Sequence, residues 1–363
     1  MAFNTHHVID RESDIWKTLW AWPKIELHRH LEGSIRLPTL IEVAHEFDIA
    51  LPAYDVEQLR PHVQVTDDDD ASMDAFLSKF DVLRKFYCSM DIIRRIAREA
   101  VEDAARDNVR YMELRFTPHA LARQNNYSYA DVIAAVAEEV AQAAKTFGVR
   151  VRLIISVNRH ESVEIAEHAL DAALEVANSE VVAMDLAGQE TGHSAQPFAA
   201  LFARAKDNGL SITVHAGEWD GSTNVREAIE VLGADRIGHG VRTVEDSRVV
   251  QLVRERGITL EVCPTSNMQS GVVSQLENHP LIDLNYLRVP TTINTDDPSL
   301  SNITLTDELA LAHIGLGLPL SRIKANVMNA VYAAFLPEDE RAALVKEFKA
   351  AMGLDETITR RLW

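Results

Sequence analysis

The stretch RLIISVNRHESVEIAEHALDAALEVANSEVVAMDLA, residues 152–187, contains the unit from which the fold is predicted. Its two ends, 152–157 and 181–187, are short apolar runs with the length and composition of buried strands. The segment between them, 164–177, has the apolar spacing of a helix. A strand, a helix and a second strand in this order predict a parallel β/α unit.

The same alternation continues through the rest of the chain. Helix-like segments such as 131–147 and 196–209 separate six more candidate strands, at 25–30, 111–116, 212–217, 236–240, 259–264 and 291–297. Eight strands alternating with helices predict a TIM (β/α)8 barrel. A doubly wound open sheet is the competing fold, but the first strand is followed by no GxGxxG and the chain has no P-loop. We therefore expect residues 1–363 to form one domain, with a helical insertion at about 31–110.

Composition narrows the class of function. The formal net charge of -19 would repel a nucleic acid polymer, and no run of Lys and Arg offers a basic groove. The charged N-terminus lacks the apolar core of a secretory signal, and the most apolar stretch, 309–320, is too short to span a bilayer. Two cysteines do not make a disulfide framework. These features predict a cytoplasmic protein that acts on small molecules, away from membranes; they leave its oligomeric state open.

Ionisable residues cluster where four candidate strands end. In a TIM barrel these ends meet at one mouth, where active sites lie. His28 and His30, two residues apart on a strand, should point the same way. The strand-end residues are His28, His30, His215, Glu218, His239, Asp296 and Asp297.

Three imidazoles and one carboxylate suit Zn²⁺ or another borderline divalent ion and leave a position for water. A metal there would make hydroxide available at neutral pH, and Glu218, three residues from His215, is placed to supply a proton. His119, just past the second strand, is a further candidate for the site. Cys263 could be a soft metal ligand, but a small residue that lines the site is the simpler interpretation.

At this point the sequence resembles the adenosine deaminase family of the amidohydrolase superfamily. The similarity extends over nearly the whole chain, and HAGE at 215–218 and NTDDP at 294–298 are its most specific parts. The other matching segments are PKIELHRHLEGS (23–34), FLSKFDVL (76–83), YMELRFTPH (111–119), MDLAGQE (184–190), RIGHGVR (236–242) and CPTSN (263–267).

The resemblance implies one zinc per subunit and a role for each site residue. The implied ligands are His28, His30, His215 and Asp296. Glu218 would carry a proton to purine N1, and His239 would orient the attacking water. Asp297 would contact that water and purine N7, and the backbone N–H of Gly188 would meet N3. His30 is also expected beside the substrate. In the same family an apolar helix covers the base, which suggests a lid at Phe76, Leu77 and Phe80.

Position 32 departs from the family's commonest form, because HLEG stands where HLDG is usual. That carboxylate binds the ribose 5′-hydroxyl in the typical enzymes, so Glu32 is expected at the sugar. The expected reaction is hydrolysis of adenosine, and of deoxyadenosine, to inosine-type products and ammonia. Adenine and aminodeoxyfutalosine remain alternative substrates, since relatives that act on them often carry Glu at this position.

Two rival functions remain at this stage. The first is a two-metal amide, lactone or phosphotriester hydrolase of the same superfamily, but the fourth strand lacks the bridging Lys. The second is a non-catalytic metal-binding protein, which would have no need of Glu218 or Asp297. The cytidine-deaminase type of zinc site is excluded, because it requires HxE followed by PCxxC.

Overall fold

The computed structural model describes residues 2–176 and 180–354. Its sheet has eight strands that are parallel and follow one another in chain order. They are β1 (Lys24–His30), β2 (Val109–Phe116), β3 (Arg150–Asn158), β4 (Val181–Ala187), β5 (Ser211–Ala216), β6 (Arg236–His239), β7 (Thr259–Val262) and β8 (Thr291–Ile293).

Backbone contacts between the first strand and the segment after β8 close the sheet. The N–H of Asp296 donates to the His28 carbonyl, and the N–H of His30 donates to the Asp296 carbonyl, both at 2.9 Å. A parallel bridge between Arg29 and Asp296 lies at the same point. The TIM (β/α)8 barrel predicted from the sequence is thus confirmed.

Helices surround the barrel. Helix α1 (Asp14–Ala21) precedes β1, and the interval between β1 and β2 contains α2 (Leu37–Glu46), α3 (Val56–Val63), α4 (Met73–Ser78), α5 (Phe80–Leu83) and α6 (Met90–Arg106). The next helices are α7 (Pro118–Ala122), α8 (Tyr129–Phe147), α9 (Val163–Glu175), α10 (Ala199–Asp207), α11 (Ser222–Glu230) and α12 (Ser247–Arg256). The last are α13 (Pro264–Gln269), α14 (Leu281–Tyr286), α15 (Pro298–Ser301), α16 (Leu305–Ala310), α17 (Leu320–Ala333) and α18 (Glu338–Met352).

Local sequence explains why these helices begin and end where they do. Ser128 caps α8 by accepting the N–H of Asp131 at 3.0 Å, and Gly148 ends it in the left-handed conformation at φ 72°. Its buried stripe includes Val132, Val136 and Val140, spaced at the helical period, so this face packs inward. In the described ranges every helix is either too short or too polar to cross a bilayer.

Four strands end earlier than predicted: β5 and β6 by one residue, and β7 and β8 by more. Strand β7 ends at Val262, because Pro264 opens α13 and cannot donate to a sheet. Strand β8 ends at Ile293, and Asp296 adopts a left-handed φ of 63° in the turn that follows. The two aspartates are therefore carried by a turn beyond the strand. Helix α9 ends at Glu175, and the predicted helix end at 177 lies outside the described residues.

Candidate active site

Four potential metal ligands converge at the C-terminal ends of the strands, here called the mouth. The donor atoms of His28, His30, His215 and Asp296 all lie within 4.8 Å of one another. The Nε2 atoms of His30 and His215 are 3.3 Å apart, and Asp296 Oδ1 is 3.4 Å from Nε2 of both His28 and His30. Residues from β1, β5 and the turn after β8 thus point at one small volume.

The hydrogen bonds of the imidazoles fit a metal in that volume. His28 Nδ1 lies 2.7 Å from Glu261, and His215 Nδ1 lies 2.9 Å from Asp185. A proton on each Nδ1 leaves each Nε2 lone pair facing the volume. His28 Nε2 is buried and has no hydrogen-bond partner among the described residues, as expected of a ligand atom. Three imidazoles with one carboxylate suit a borderline divalent ion.

Sequence reasoning missed the residues that hold these side chains. Besides Asp185 and Glu261, Ser266 Oγ donates to Asp296 Oδ2 at 2.7 Å. Asn267 Nδ2 lies 3.2 Å from His239 Nδ1. A signal was available, because Asp185 and Glu261 are charged residues inside otherwise apolar strands, and fully buried charges require partners.

Glu218 follows β5 and lies beside this cluster. Its Oε2 is 3.6 Å from His239 Nε2, and its side chain is buried. Burial, Asp296 and Glu190 all raise the pKa of the Glu218 carboxyl well above its ordinary value. Burial thus favours the protonated form of the side chain more than it is favoured in an exposed glutamic acid. A buried carboxyl with a raised pKa beside potential metal ligands is suited to general acid chemistry.

Asp297 is the second carboxyl with a raised pKa, which follows from burial and from the adjacent Asp296. Its Oδ1 is buried without a hydrogen-bond partner in the described part of the chain. Gly33 makes room for it, since a Cβ on Gly33 would lie 1.8 Å from that oxygen. The unsatisfied oxygen is available to a ligand.

Gly188, predicted to approach the base, follows β4 with a left-handed φ of 82°. A Cβ at this position would lie 2.7 Å from His160 Nδ1 and 3.0 Å from the Asn158 Cβ. Both the backbone conformation and the available space therefore require glycine.

Glu32 lies in the mouth with one oxygen anchored and the other free. Oε1 accepts the N–H of Thr117 at 2.7 Å, while Oε2 is buried without a partner in the residues that the structure describes. Burial raises the pKa of this carboxyl to about 7. The free oxygen is therefore available to a ligand.

The further candidates, His119 and Cys263, and the expected lid residues lie in different surroundings. His119 is bound to the Tyr129 hydroxyl at 2.6 Å and does not belong to the donor cluster. Cys263 can be grouped with His28, His239 and Asp296, so the soft-ligand alternative keeps a geometric basis. Of the expected lid residues, Phe76 is buried in the core and Phe80 is partly buried against it, whereas Leu77 is 40% exposed; the lid stays a prediction.

Comparison with known proteins agrees with this geometry. Residues 23–351 match the family model described as adenosine deaminase. The chain is 39% identical to an adenosine deaminase of Vibrio parahaemolyticus over 327 residues, which is 90% of this chain and 97% of the relative.

Solved structures give the same picture. An amidohydrolase from Burkholderia ambifaria with bound zinc has a TM-score of 0.84 at 26% identity, covering 97% of this chain and 96% of its own. The adenine deaminase of Arthrobacter aurescens has a TM-score of 0.84 at 27% identity, covering 91% and 99%. The Arabidopsis protein ADAL in complex with IMP has a TM-score of 0.81 at 29% identity, covering 93% and 99%.

These matches confirm the resemblance seen in the sequence, and they agree with a divalent metal in the mouth. The chain belongs to the adenosine deaminase family.

Proposed function

We propose that this chain is a zinc-dependent hydrolase that replaces the 6-amino group of adenosine, and of deoxyadenosine, by oxygen, which yields inosine-type products and ammonia. The observation that carries the proposal is the buried Glu218 carboxyl, 3.6 Å from His239 and beside a cluster of three imidazoles and one carboxylate. A metal-binding protein without catalysis would gain nothing from this acid.

His28, His30, His215 and Asp296 are the residues that would hold one zinc ion per subunit. Metal ligation requires neutral imidazoles, and two of the three have lowered pKa values, whereas hydrogen bonds to Asp296 and Glu261 raise the pKa of His28 in spite of its burial. Burial lowers the pKa of both His30 and His215. Zinc, when bound, lowers the pKa of water to about 7 and so supplies a nucleophile at neutral pH.

Glu218 is assigned to move a proton to purine N1. Protonation at N1 withdraws electrons from C6, which an aromatic ring requires before water can add there. Water forms the new C6–O bond, and the C6–N bond then breaks and releases ammonia. Burial raises the pKa of the Glu218 carboxyl, which favours the protonated form that this step requires.

His239 and Asp297 are assigned to orient the attacking water. Burial lowers the pKa of His239 well below its ordinary value, so its ring is neutral and can accept a proton. Burial and Asp296 raise the pKa of Asp297 well above its ordinary value, and its Oδ1 is unsatisfied; in its protonated form the carboxyl can donate a hydrogen bond to purine N7.

Gly188, His30 and Glu32 complete the proposed substrate site, with the Gly188 N–H at purine N3 and Glu32 at the sugar. The curated relatives favour adenosine, since the Vibrio protein is an adenosine deaminase at 39% identity. Adenine is the second candidate, because the Arthrobacter neighbour is an adenine deaminase. Aminodeoxyfutalosine remains a third candidate through Glu32.

The proposed enzyme would act in purine metabolism. Its substrates are small purines, and its formal charge of -19 disfavours nucleic acid polymers. Both cysteines are unpaired, which supports a reducing, cytoplasmic location.

The test is an ultraviolet and ammonia-release assay of the zinc-loaded protein on adenosine, deoxyadenosine, adenine and aminodeoxyfutalosine. We expect the highest kcat/KM with adenosine, loss of activity with a chelator, and its return with zinc. No ammonia from any of the four compounds would contradict the proposal. A preference for adenine would correct the substrate but keep the reaction.

A further inference from the structure

One buried carboxylate holds the loop that carries Glu218. Glu190 follows β4 and is 1% exposed. Its Oε2 accepts the backbone N–H groups of Glu218, Trp219 and Asp220 at 3.0, 2.8 and 3.1 Å. Its Oε1 accepts the N–H of Gly217 at 2.6 Å and the side-chain amide of Asn224, on α11, at 3.0 Å.

This arrangement accounts for a charge that would otherwise be costly to bury. Successive backbone N–H groups that point at one anion form a concave cradle, and five donors compensate Glu190. The dependence is mutual, because removing the carboxylate would leave four loop amides without an acceptor.

Arg242, which follows β6, holds the opposite side of the loop. The N–H of Arg242 donates to the Gly217 carbonyl at 2.9 Å, and Arg242 Nε donates to the Glu218 carbonyl at 2.9 Å. The Glu218 carboxyl itself is 3.6 Å from His239, beyond hydrogen-bond distance. Glu190 and Arg242 thus hold the loop backbone from two sides, and the Glu218 carboxyl has one further hydrogen bond, to Trp219 in the same loop.

We infer that Glu190 is a positioning residue, which sets the place of Glu218 by binding the amides of residues 217–220. The inference rests on the proposed function, since it assigns Glu190 a purpose only if Glu218 moves a proton. Glu190 touches neither the substrate nor the metal ligands' donor atoms; it acts through the loop.

Glu190→Gln is the main test, made on the zinc-loaded enzyme with adenosine. The Gln side chain must turn an NH2 toward backbone N–H donors, which displaces the loop. A misplacement of about 1 Å at a catalytic group can lower a rate about 100-fold. We expect kcat to fall about 10- to 100-fold, KM to stay within about threefold, and zinc to remain at one per chain.

A double-mutant cycle separates positioning from a general structural role. In the Glu218→Gln background the acid is already absent, so Glu190→Gln should lower kcat by less than about threefold. An equal loss in both backgrounds would overturn the inference, and so would wild-type kcat in the single variant.

Glu227→Gln is a matched control. Glu227 lies on the same helix as Asn224 and accepts the N–H groups of Ala195 and Gln196 at 3.4 and 3.2 Å, but it does not bind residues 217–220. We expect kcat of Glu227→Gln to stay within about twofold of wild type, because the loop that Glu227 binds, at Ala195 and Gln196, carries no proposed catalytic group. A fall in kcat equal to that of Glu190→Gln would contradict the inference.

If Glu190→Gln does not fold, Glu190→Asp decides the question. This variant keeps the charge but withdraws the carboxylate from the loop amides by one methylene. We again expect a lower kcat with a nearly unchanged KM. An unchanged kcat would overturn the inference. A wild-type enzyme that deaminates no purine would instead remove the proposed function, so the two failures are distinguishable.

Discussion

Two layers of the barrel interior bury charged groups in opposite ways. In the inner layer, defined by Glu113, Arg236 and Glu261, the carboxylates are saturated with donors. Glu261 accepts from Arg236 at 2.6 Å, from Arg115 at 2.7 Å and from Thr213 at 3.1 Å. Although burial alone would raise the pKa of Glu261, Arg115 and Arg236 hold it well below its ordinary value.

The mouth, a few residues further along the strands, leaves polar atoms unsatisfied. Asp297 Oδ1, Glu32 Oε2 and His28 Nε2 are buried without hydrogen-bond partners among the described residues. His239 and Asp296 hold left-handed φ angles of 58° and 63°, which few residues other than glycine adopt. The inner layer is built for stability and the mouth for binding and reaction, and mutations in the two layers should have different consequences.

The largest expected effect is in the mouth, for His215→Ala. This change removes one of four proposed ligands, so zinc per chain should fall close to zero and kcat should fall by at least about 1000-fold. Metal analysis and the deaminase assay measure both. His119→Ala, outside the donor cluster, is the control and should retain zinc. A His215→Ala protein with full zinc would show that the cluster is not the metal site.

Glu218→Gln should separate catalysis from metal binding. The amide keeps the shape but carries no transferable acid proton, so kcat should fall about 100- to 10,000-fold while zinc stays at one per chain. The free energy of unfolding should not decrease, because burial raises the pKa of Glu218 and so disfavours the charged form that the amide replaces. Stopped-flow kinetics and urea unfolding test the two parts, and near-normal turnover would remove the proposed proton shuttle.

Arg236→Met should have the reverse effect, on stability. Arg236 forms ion pairs with Glu113 and Glu261, and its Cζ lies 3.6 Å from the ring centroid of Phe335. Leaving these carboxylates without their partner should lower the free energy of unfolding by about 3–5 kcal/mol.

The folded Arg236→Met protein should keep kcat within about threefold of wild type, because Arg236 binds Oε1 of Glu261, while Arg115 still holds Oε2, the oxygen that contacts His28. Arg248→Met, in an exposed ion pair with Asp246, is the control and should change stability by less than about 1 kcal/mol. Unchanged stability with lost turnover would reverse the assignment of the two layers.

The smallest expected effect is on substrate choice, for Glu32→Gln. Its free Oε2 is the proposed contact to the sugar, so KM for adenosine should rise about 3- to 10-fold. KM for adenine, which has no sugar, should stay within about twofold. Steady-state kinetics on both compounds measure the ratio, and an equal change for both would place Glu32 away from the sugar.

Much of this arrangement could be predicted from the sequence, because strand ends of a parallel barrel meet regardless of their separation along the chain. His28, His30 and His215 could be grouped from their strand positions, and the structure brings their donor atoms together. The roles assigned to these residues, and the organisation of the whole chain as one domain, stay predictions.

The supporting contacts could not be predicted in the same way. Pairing Glu261 with His28, and Asp185 with His215, depends on strand register and on closure between β1 and β8, which no local pattern encodes. The cradle of Glu190 depends on the path of a loop. The early ends of β7 and β8 follow from Pro264 and from the left-handed Asp296, which the apolar pattern alone does not predict.

The most direct test of the central claim is the metal environment of the purified zinc-loaded protein, measured by metal analysis together with zinc X-ray absorption. We predict one zinc per chain, coordinated by three imidazole nitrogens and by oxygen, with no sulfur. Two metals per chain, or a Zn–S distance of about 2.3 Å from Cys263, would contradict this account of the mouth.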